Sequence, residues 1–177
     1  MFVLAHGTHK LGPDNATLTV HTKRQGAAAK AGHDLKMEVG AWEGTLVIGD
    51  RPSVSLVVES TSFKVREGTG GVQKLDDDDK ANIEQTIDDE VLHRRKVKFQ
   101  STDVSVDGDR LTVTGDLRLN MNTNPVTFDL EVSDDGRLSG GAVLKQSDWG
   151  LTPYTALFGA LKVADEVEIR IETEPLD

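Results

Sequence analysis

Apolar and polar residues alternate with a period of two along most of the chain. Leu111, Val113, Leu117 and Leu119 are interleaved with Thr112, Thr114, Asp116 and Arg118. Val126, Phe128, Leu130 and Val132 are interleaved with Thr127, Asp129 and Glu131, and Val167, Ile169 and Ile171 with Glu168 and Arg170. Successive side chains of a strand point to opposite faces, so each stretch offers one face to an apolar interior and one to water. Many such strands make an antiparallel barrel or sandwich. A closed barrel of about eight strands can hold one small ligand. The pattern therefore turns the functional question to what fills the interior.

Turn signals mark the strand ends. Asp107-Gly108-Asp109, Asn122-Thr123-Asn124-Pro125 and Asp134-Asp135-Gly136 separate predicted strands at about 97–106, 110–119, 124–132 and 137–145, with a last strand at about 164–173. Upstream, 17–22 alternates, and 34–48 reads as one long strand or a tight pair, bent at Gly40 and Gly44. Val54, Leu56 and Val58 form the next apolar row, continued after a kink by Phe63 and Val65. Residues 1–12 show no pattern and read as a flexible N-terminal segment, leaving 13–177 as a single barrel domain.

One helix breaks the alternation, at about 77–92. Ile83, Ile87 and Val91 recur every four residues on an otherwise polar surface. The run Asp76–Asp79 opens it and His93-Arg94-Arg95-Lys96 closes it, the signs that complement a helix dipole. Between the last two strands, 146–163 gathers Trp149, Tyr154 and Phe158 in a connection punctuated by Gly150 and Pro153. It reads as a cover over one barrel opening, with Trp149 or Phe158 touching a ligand or plugging the entrance.

Composition narrows the chemistry. With 177 residues, 37% of them hydrophobic, the chain suits one domain. No apolar run approaches the roughly 20 residues of a spanning helix. Met1-Phe2-Val3-Leu4-Ala5 is too short for a signal-peptide core. No transmembrane segment and a cytoplasmic location are therefore expected. The absence of cysteine removes disulfides, thiol nucleophiles and Cys-ligated zinc. A net charge of −10 opposes nucleic-acid binding, with a basic run only at His93–Lys96. Gly-rich phosphate loops, Gly-x-Ser-x-Gly and His-Glu-x-x-His are missing, and no cofactor is expected. His6, His9, His21, His33 and His93 contain no helical i, i+4 pair, and no metal site is expected. Gly32-His33-Asp34 is the sharpest local candidate for chemistry. Adjacent residues of a strand face opposite ways and no nucleophile motif accompanies the pair, so His33 reads as a structural residue or a polar contact to a ligand.

The elements and their motifs resemble the YceI-like family of lipocalin-like proteins. The likeness runs through Leu18-Thr19-Val20, Gly32-His33-Asp34-Leu35, Trp42-Glu43-Gly44 and the helix Leu75–Leu92. It continues through Val97-Lys98-Phe99-Gln100-Ser101-Thr102, Val113-Thr114-Gly115-Asp116-Leu117, Asn124-Pro125-Val126, Ser147-Asp148-Trp149-Gly150-Leu151 and Asp165-Glu166-Val167-Glu168-Ile169. The resemblance implies an extended eight-stranded antiparallel barrel flanked by one α-helix. It also implies an elongated apolar cavity for a polyisoprenoid chain, such as an isoprenoid quinone or a prenyl phosphate.

The expected function is non-enzymatic binding, transport or storage of an isoprenoid or other long-chain apolar lipid. His33, Trp42, Phe99, Phe128, Trp149 and Phe158 are the expected lining residues, and a homodimer is left open. Two other readings stand beside it: a filled barrel acting as a stress-related interaction module, and an enzyme using His33. A packed barrel and a hollow one show the same alternation, so only the interior itself separates them.

Overall fold

The alternating stretches form strands in a computed structural model that describes residues 4–71, 73–156, 159 and 161–176. Strands β1 to β7 span Gly7–Leu11, Ala16–Thr22, Arg24–Gln25, Asp34–Val39, Trp42–Ile48, Ser53–Val58 and Phe63–Thr69. Strands β8 to β14 span Val97–Asp107, Arg110–Leu119, Asn122–Val132, Leu138–Lys145, Thr155–Ala156, Leu161–Val163 and Glu166–Thr173. Eleven of them form one curled sheet in the order β1-β5-β6-β8-β9-β10-β11-β14-β2-β4-β7, and β12-β13-β3 form a second, small sheet. Alternation translates directly into facing: in β9, Leu111, Val113 and Leu117 are buried while Asp116 and Arg118 are exposed.

The expected count of eight strands is not matched, and the excess has a physical source. Residues 34–48 and 53–69 are two long strands of one hairpin, and each is broken at a corner. Trp42 pairs with Val58 below the corner and Val39 with Phe63 above it. Across the corner the hairpin is stitched by Gly40 N–H to the Ser62 carbonyl (2.7 Å) and Glu59 N–H to the Ala41 carbonyl (3.0 Å). The corner turns β4 to face β2 and β6 to face β8. Ladders then run from β5 round to β4, and β4 continues covalently into β5, so the sheet wraps back on its own hairpin as a barrel.

The third extra strand is β1. Residues 7–11, expected to be loose, pair with β5 from Gly7↔Ile48 to Leu11↔Gly44. His9 and Lys10 carry no apolar alternation, and an edge strand held by main-chain bonds needs none. The expected turn at Asn122–Pro125 is also displaced. Leu119 pairs with Asn122, so the turn residues are Asn120 and Met121, with φ of 48° and 67°. Two consecutive positive φ values belong to the tight hairpin turn usually written Asn-Gly, and Met121 hid it from the sequence.

The helix α1 spans Asp77–Thr86 and continues through a wider π turn at Ile87–Val91. Its acidic start is a reciprocal cap: Asp76 Oδ1 accepts from Asp79 N–H (2.7 Å) and Asp79 Oδ2 from Asp76 N–H (3.1 Å). His93 and Arg94, at φ 53° and 59°, end it. Ile83, Ile87 and Val91 pack against the barrel core.

The helix lies where the corner leaves β7 paired on one side only. An edge N–H shut away from water needs a partner. Glu84 Oε2 supplies it, accepting from Val65 N–H at 2.9 Å, while Glu84 Oε1 sits 3.6 Å from Lys64 Nζ. Asp88, buried, accepts from Ser60 Oγ at 2.7 Å at the corner itself. Glu84→Ala is therefore expected to lower stability by about 1–3 kcal/mol in chemical denaturation, the cost of orphaning a partly buried donor. Glu84→Gln keeps an acceptor oxygen and loses only a half-exposed ion pair, so its loss is expected to stay below about 1 kcal/mol. Equal losses in the two variants would show that charge, not the edge hydrogen bond, fixes the helix.

Candidate functional site

The inward faces do not fill the barrel. They enclose a cavity of about 540 Å³. A single water needs only roughly 10–15 Å³ by this kind of measure, so the space is far larger than a packing defect. Its wall is built from the inward positions of the alternating strands: Leu18 and Val20 on β2, Leu117 and Leu119 on β9, Val126, Phe128 and Leu130 on β10, and Val167, Ile169 and Ile171 on β14. Ile83, Ile87 and Val91 of the helical segment complete it. Among the described residues the interior is hollow, the opposite of the packing that the filled-barrel reading expects.

The ionisable side chains of the lining gather at one end of the cavity. Leu11, Leu18 and Leu138 line the far end. That end is tied down by Glu174 N–H to the Asn15 carbonyl and Leu176 N–H to the Gly136 carbonyl, both 2.8 Å. At the other end the lining becomes Arg24, His33, Tyr154 and Lys162, the only ionisable side chains among the described residues that line it. Among the described residues no carboxylate does.

The small sheet sits at this polar end. Strand β3 comes from the β2–β4 connection, and β12 and β13 from the connection between β11 and β14. The two loops are joined by Lys162↔Gln25 and Val163↔Arg24 and by Ala164 N–H to the Lys23 carbonyl (2.7 Å). Gly32 permits their contact: a Cβ there would lie 2.5 Å from Leu161 Cδ1.

The expected lining residues fare differently. His33, Phe99, Phe128 and Trp149 line the cavity. The Phe99 and Phe128 rings form a tilted pair with centroids 5.5 Å apart. Trp149 is buried, and its Nε1–H donates to the Leu117 carbonyl at 2.8 Å. Trp42 is buried in the core beside Gly44 and does not line the cavity. Phe158 lies outside the described residues.

The His33-Asp34 pair is not a dyad. His33 Nε2–H donates to the Gln73 carbonyl at 2.7 Å. Asp34 Oδ1 instead accepts from Arg24 N–H (2.9 Å), and Lys23 Nζ stands 3.8 Å from Oδ2. Asp34 thus positions Arg24, whose Nη1 also donates to the Thr69 (2.8 Å) and Gly32 (3.2 Å) carbonyls.

Several site residues escaped the sequence reading. Arg24 and Lys162 belong to short strands with no periodicity. Thr22 and Gln146 are buried polar residues in the lining, and the Thr22 hydroxyl has no protein partner. Asn122 and Asn124, read as turn residues, hold the Trp149 segment: their Nδ2 groups donate to the Trp149 and Asp148 carbonyls, both at 2.6 Å. Paired asparagines at a strand start were the available signal, but it does not name the segment they hold.

Asp165 anchors the same segment from the other side, accepting from Ser147 N–H at 2.8 Å and from Ser147 Oγ. The Ser147 hydroxyl and then its N–H, with a contribution from the Lys145 charge, hold the Asp165 carboxyl below its ordinary value. A depressed folded pKa means that the contribution is complete above the unfolded value of about 3.9 and is lost as pH falls through the folded value. Asp165→Asn is therefore expected to be less stable than the parent at neutral pH, with the gap closing in acid. Thermal denaturation of both proteins across the acid range checks it; a gap independent of pH would remove the carboxylate from the anchor.

The crystal structure of Burkholderia cenocepacia BcnA aligns with a TM-score of 0.64 at 16% identity, covering 89% of this chain and 94% of that one. The crystal structure of the Campylobacter jejuni YCEI protein aligns with a TM-score of 0.59 at 13% identity, covering 80% and 84%. At such identities these likenesses carry the fold alone. No curated protein sequence matches. The family description "YceI-like domain" matches residues 10–175, nearly the whole chain, and the protein belongs to the YceI-like family.

Proposed function

We propose that this protein binds a long apolar lipid, an isoprenoid or a comparable chain, inside the barrel and carries or stores it without chemically changing it. The observation that carries the reading is the hollow interior: about 540 Å³ with an apolar wall and polar groups at one end. That volume falls within the roughly 300–1,000 Å³ of small-molecule sites, and an apolar wall with few polar groups is their usual lining. The family supports a lipocalin-like binding protein.

The polar end supports an amphiphile over a plain hydrocarbon. Arg24, His33, Tyr154 and Lys162 are hydrogen-bond donors, and among the described residues no lining carboxylate opposes them. A lipid with acceptor oxygens at one end, such as a quinone or a prenyl phosphate, is oriented with its head there and its chain toward Leu18 and Leu138. Catalysis through His33 has little support, because its Nε2 is engaged by Gln73 and Asp34 is engaged by Arg24.

Native mass spectrometry of the purified protein, followed by extraction and identification of the released lipid, tests the reading. A bound mass that extracts into organic solvent is expected. Ala142 lines the cavity on β11, and Ala142→Phe places a ring in the space without removing a wall contact. The variant is expected to stay folded by circular dichroism and to lose the bound lipid. Undiminished lipid in folded Ala142→Phe would place the ligand elsewhere, and lipid-free parent protein that takes up no added isoprenoid would refute the carrier reading.

A further inference from the structure

The polar end of the barrel carries a second feature that the cavity does not use. The β9–β10 turn projects there, and its second residue is Met121, 65% exposed at a φ of 67°. A left-handed backbone suits glycine and burdens other residues, and methionine gains nothing from water. A strained, solvent-facing apolar tip is the kind of outlier that points to a use.

Unpaired cations surround the tip. Arg95 Nη1 donates to Asn120 Oδ1 at 3.1 Å, tying the basic run after the helix to the turn. On the outer wall just below, Lys98 and Arg118 are register partners and both are exposed. Like charges placed opposite one another on a sheet are destabilising. Among the described residues no carboxylate lies within ion-pair distance of Arg95, Lys98 or Arg118, whereas neighbouring Arg94 and Lys96 are matched by Asp89 and Glu59. The nearest acidic groups by register are Asp116, two residues before Arg118 on the same face, and Glu59, two residues past Val57, the register partner of Lys98, and already paired with Lys96. This local positive charge is concentrated on a chain of net charge −10. Tyr154, 46% exposed at the same end, both lines the cavity and faces solvent.

We infer that this end docks on the surface of an anionic lipid bilayer. Met121 enters the headgroup layer and Arg95, Lys98 and Arg118 meet the lipid phosphates. The charge favours that occupant: an apolar tip ringed by uncompensated cations matches an apolar interior under an anionic surface. Docking in this orientation sets the polar end of the cavity toward the bilayer.

Vesicle flotation of the whole protein tests the docking without any cavity ligand. Binding is expected to vesicles of equal parts phosphatidylglycerol and phosphatidylcholine, to weaken as salt is raised, and to be absent with phosphatidylcholine alone. Lys98→Gln with Arg118→Gln is expected to weaken binding about fivefold per charge removed. Met121→Gly is the decisive variant. It relaxes the turn, so its melting temperature is expected to hold or rise while vesicle binding falls. No binding of the parent to anionic vesicles overturns the inference. So does binding that all these variants leave unchanged, or a dimer in sedimentation velocity that Met121→Gly dissociates, which would make the tip a self-association surface. Because no isoprenoid enters the assay, failure here leaves the reading of the cavity intact, and failure to find a bound lipid leaves this one intact.

Discussion

Main-chain hydrogen bonding at the corner of one long hairpin sets the shape of everything else. Residues 34–48 and 53–69 remain partners along their whole length, yet beyond Gly40 and Glu59 they turn so that opposite halves face different neighbours. That turn lets a run of antiparallel ladders return to the strand on which it began. It also opens a gap, because β6 departs to β8 while β7 stays with β4. A gap in a sheet exposes main-chain donors, and the helix is the element that covers them. Glu84 on Val65 N–H and Asp88 on Ser60 Oγ are the two contacts by which the gap is chemically closed. The helix thus belongs to the wall, and its Ile83, Ile87 and Val91 stripe faces the interior for the same reason that β-strand alternation does.

A wall held by ladder hydrogen bonds has a circumference that side chains do not set. Leucine, valine and isoleucine reach inward from opposite walls without meeting in the middle, so the interior stays hollow. The ionisable groups lie at one end because they come from the loops there, whose backbones are tied to each other by β3 and β13. Arg24 is held by Asp34, Gly32 and Thr69, and Trp149 by Leu117 and Asn122. The polar end is preorganised by bonds between elements distant in sequence.

Those long-range bonds mark the limit of what the sequence revealed. Period-2 alternation located β9 without error and β8, β10, β11 and β14 within a few residues, because one face of each strand meets the apolar interior. The helix was legible for the same reason, and its acidic start had a local function as a cap. β1 was invisible because its strand character comes from β5 and not from its own side chains. The Asn120-Met121 turn was invisible because its second residue contradicts local preference, and Trp42 shows that an inward aromatic need not reach the cavity. Strand parity says which face a residue takes; it does not say whether the space before it is already occupied.

A hollow apolar barrel sits in a defined thermodynamic position. The side chains around the void lack the dispersion partners that a packed core supplies, and their contacts are incomplete on one side. The wall cannot collapse to recover them, since that would break ladder bonds whose donors and acceptors have no other partner. The unsatisfied part of the core therefore stays available to any chain slender enough to enter, and occupancy stabilises the folded state in proportion to the logarithm of ligand concentration above its dissociation constant. The buried, unpartnered Thr22 hydroxyl in the lining is an instance of the same incompleteness in polar form. Stability and binding are consequently linked through the same residues: each inward Leu or Ile that keeps the barrel folded also forms the surface that a guest completes.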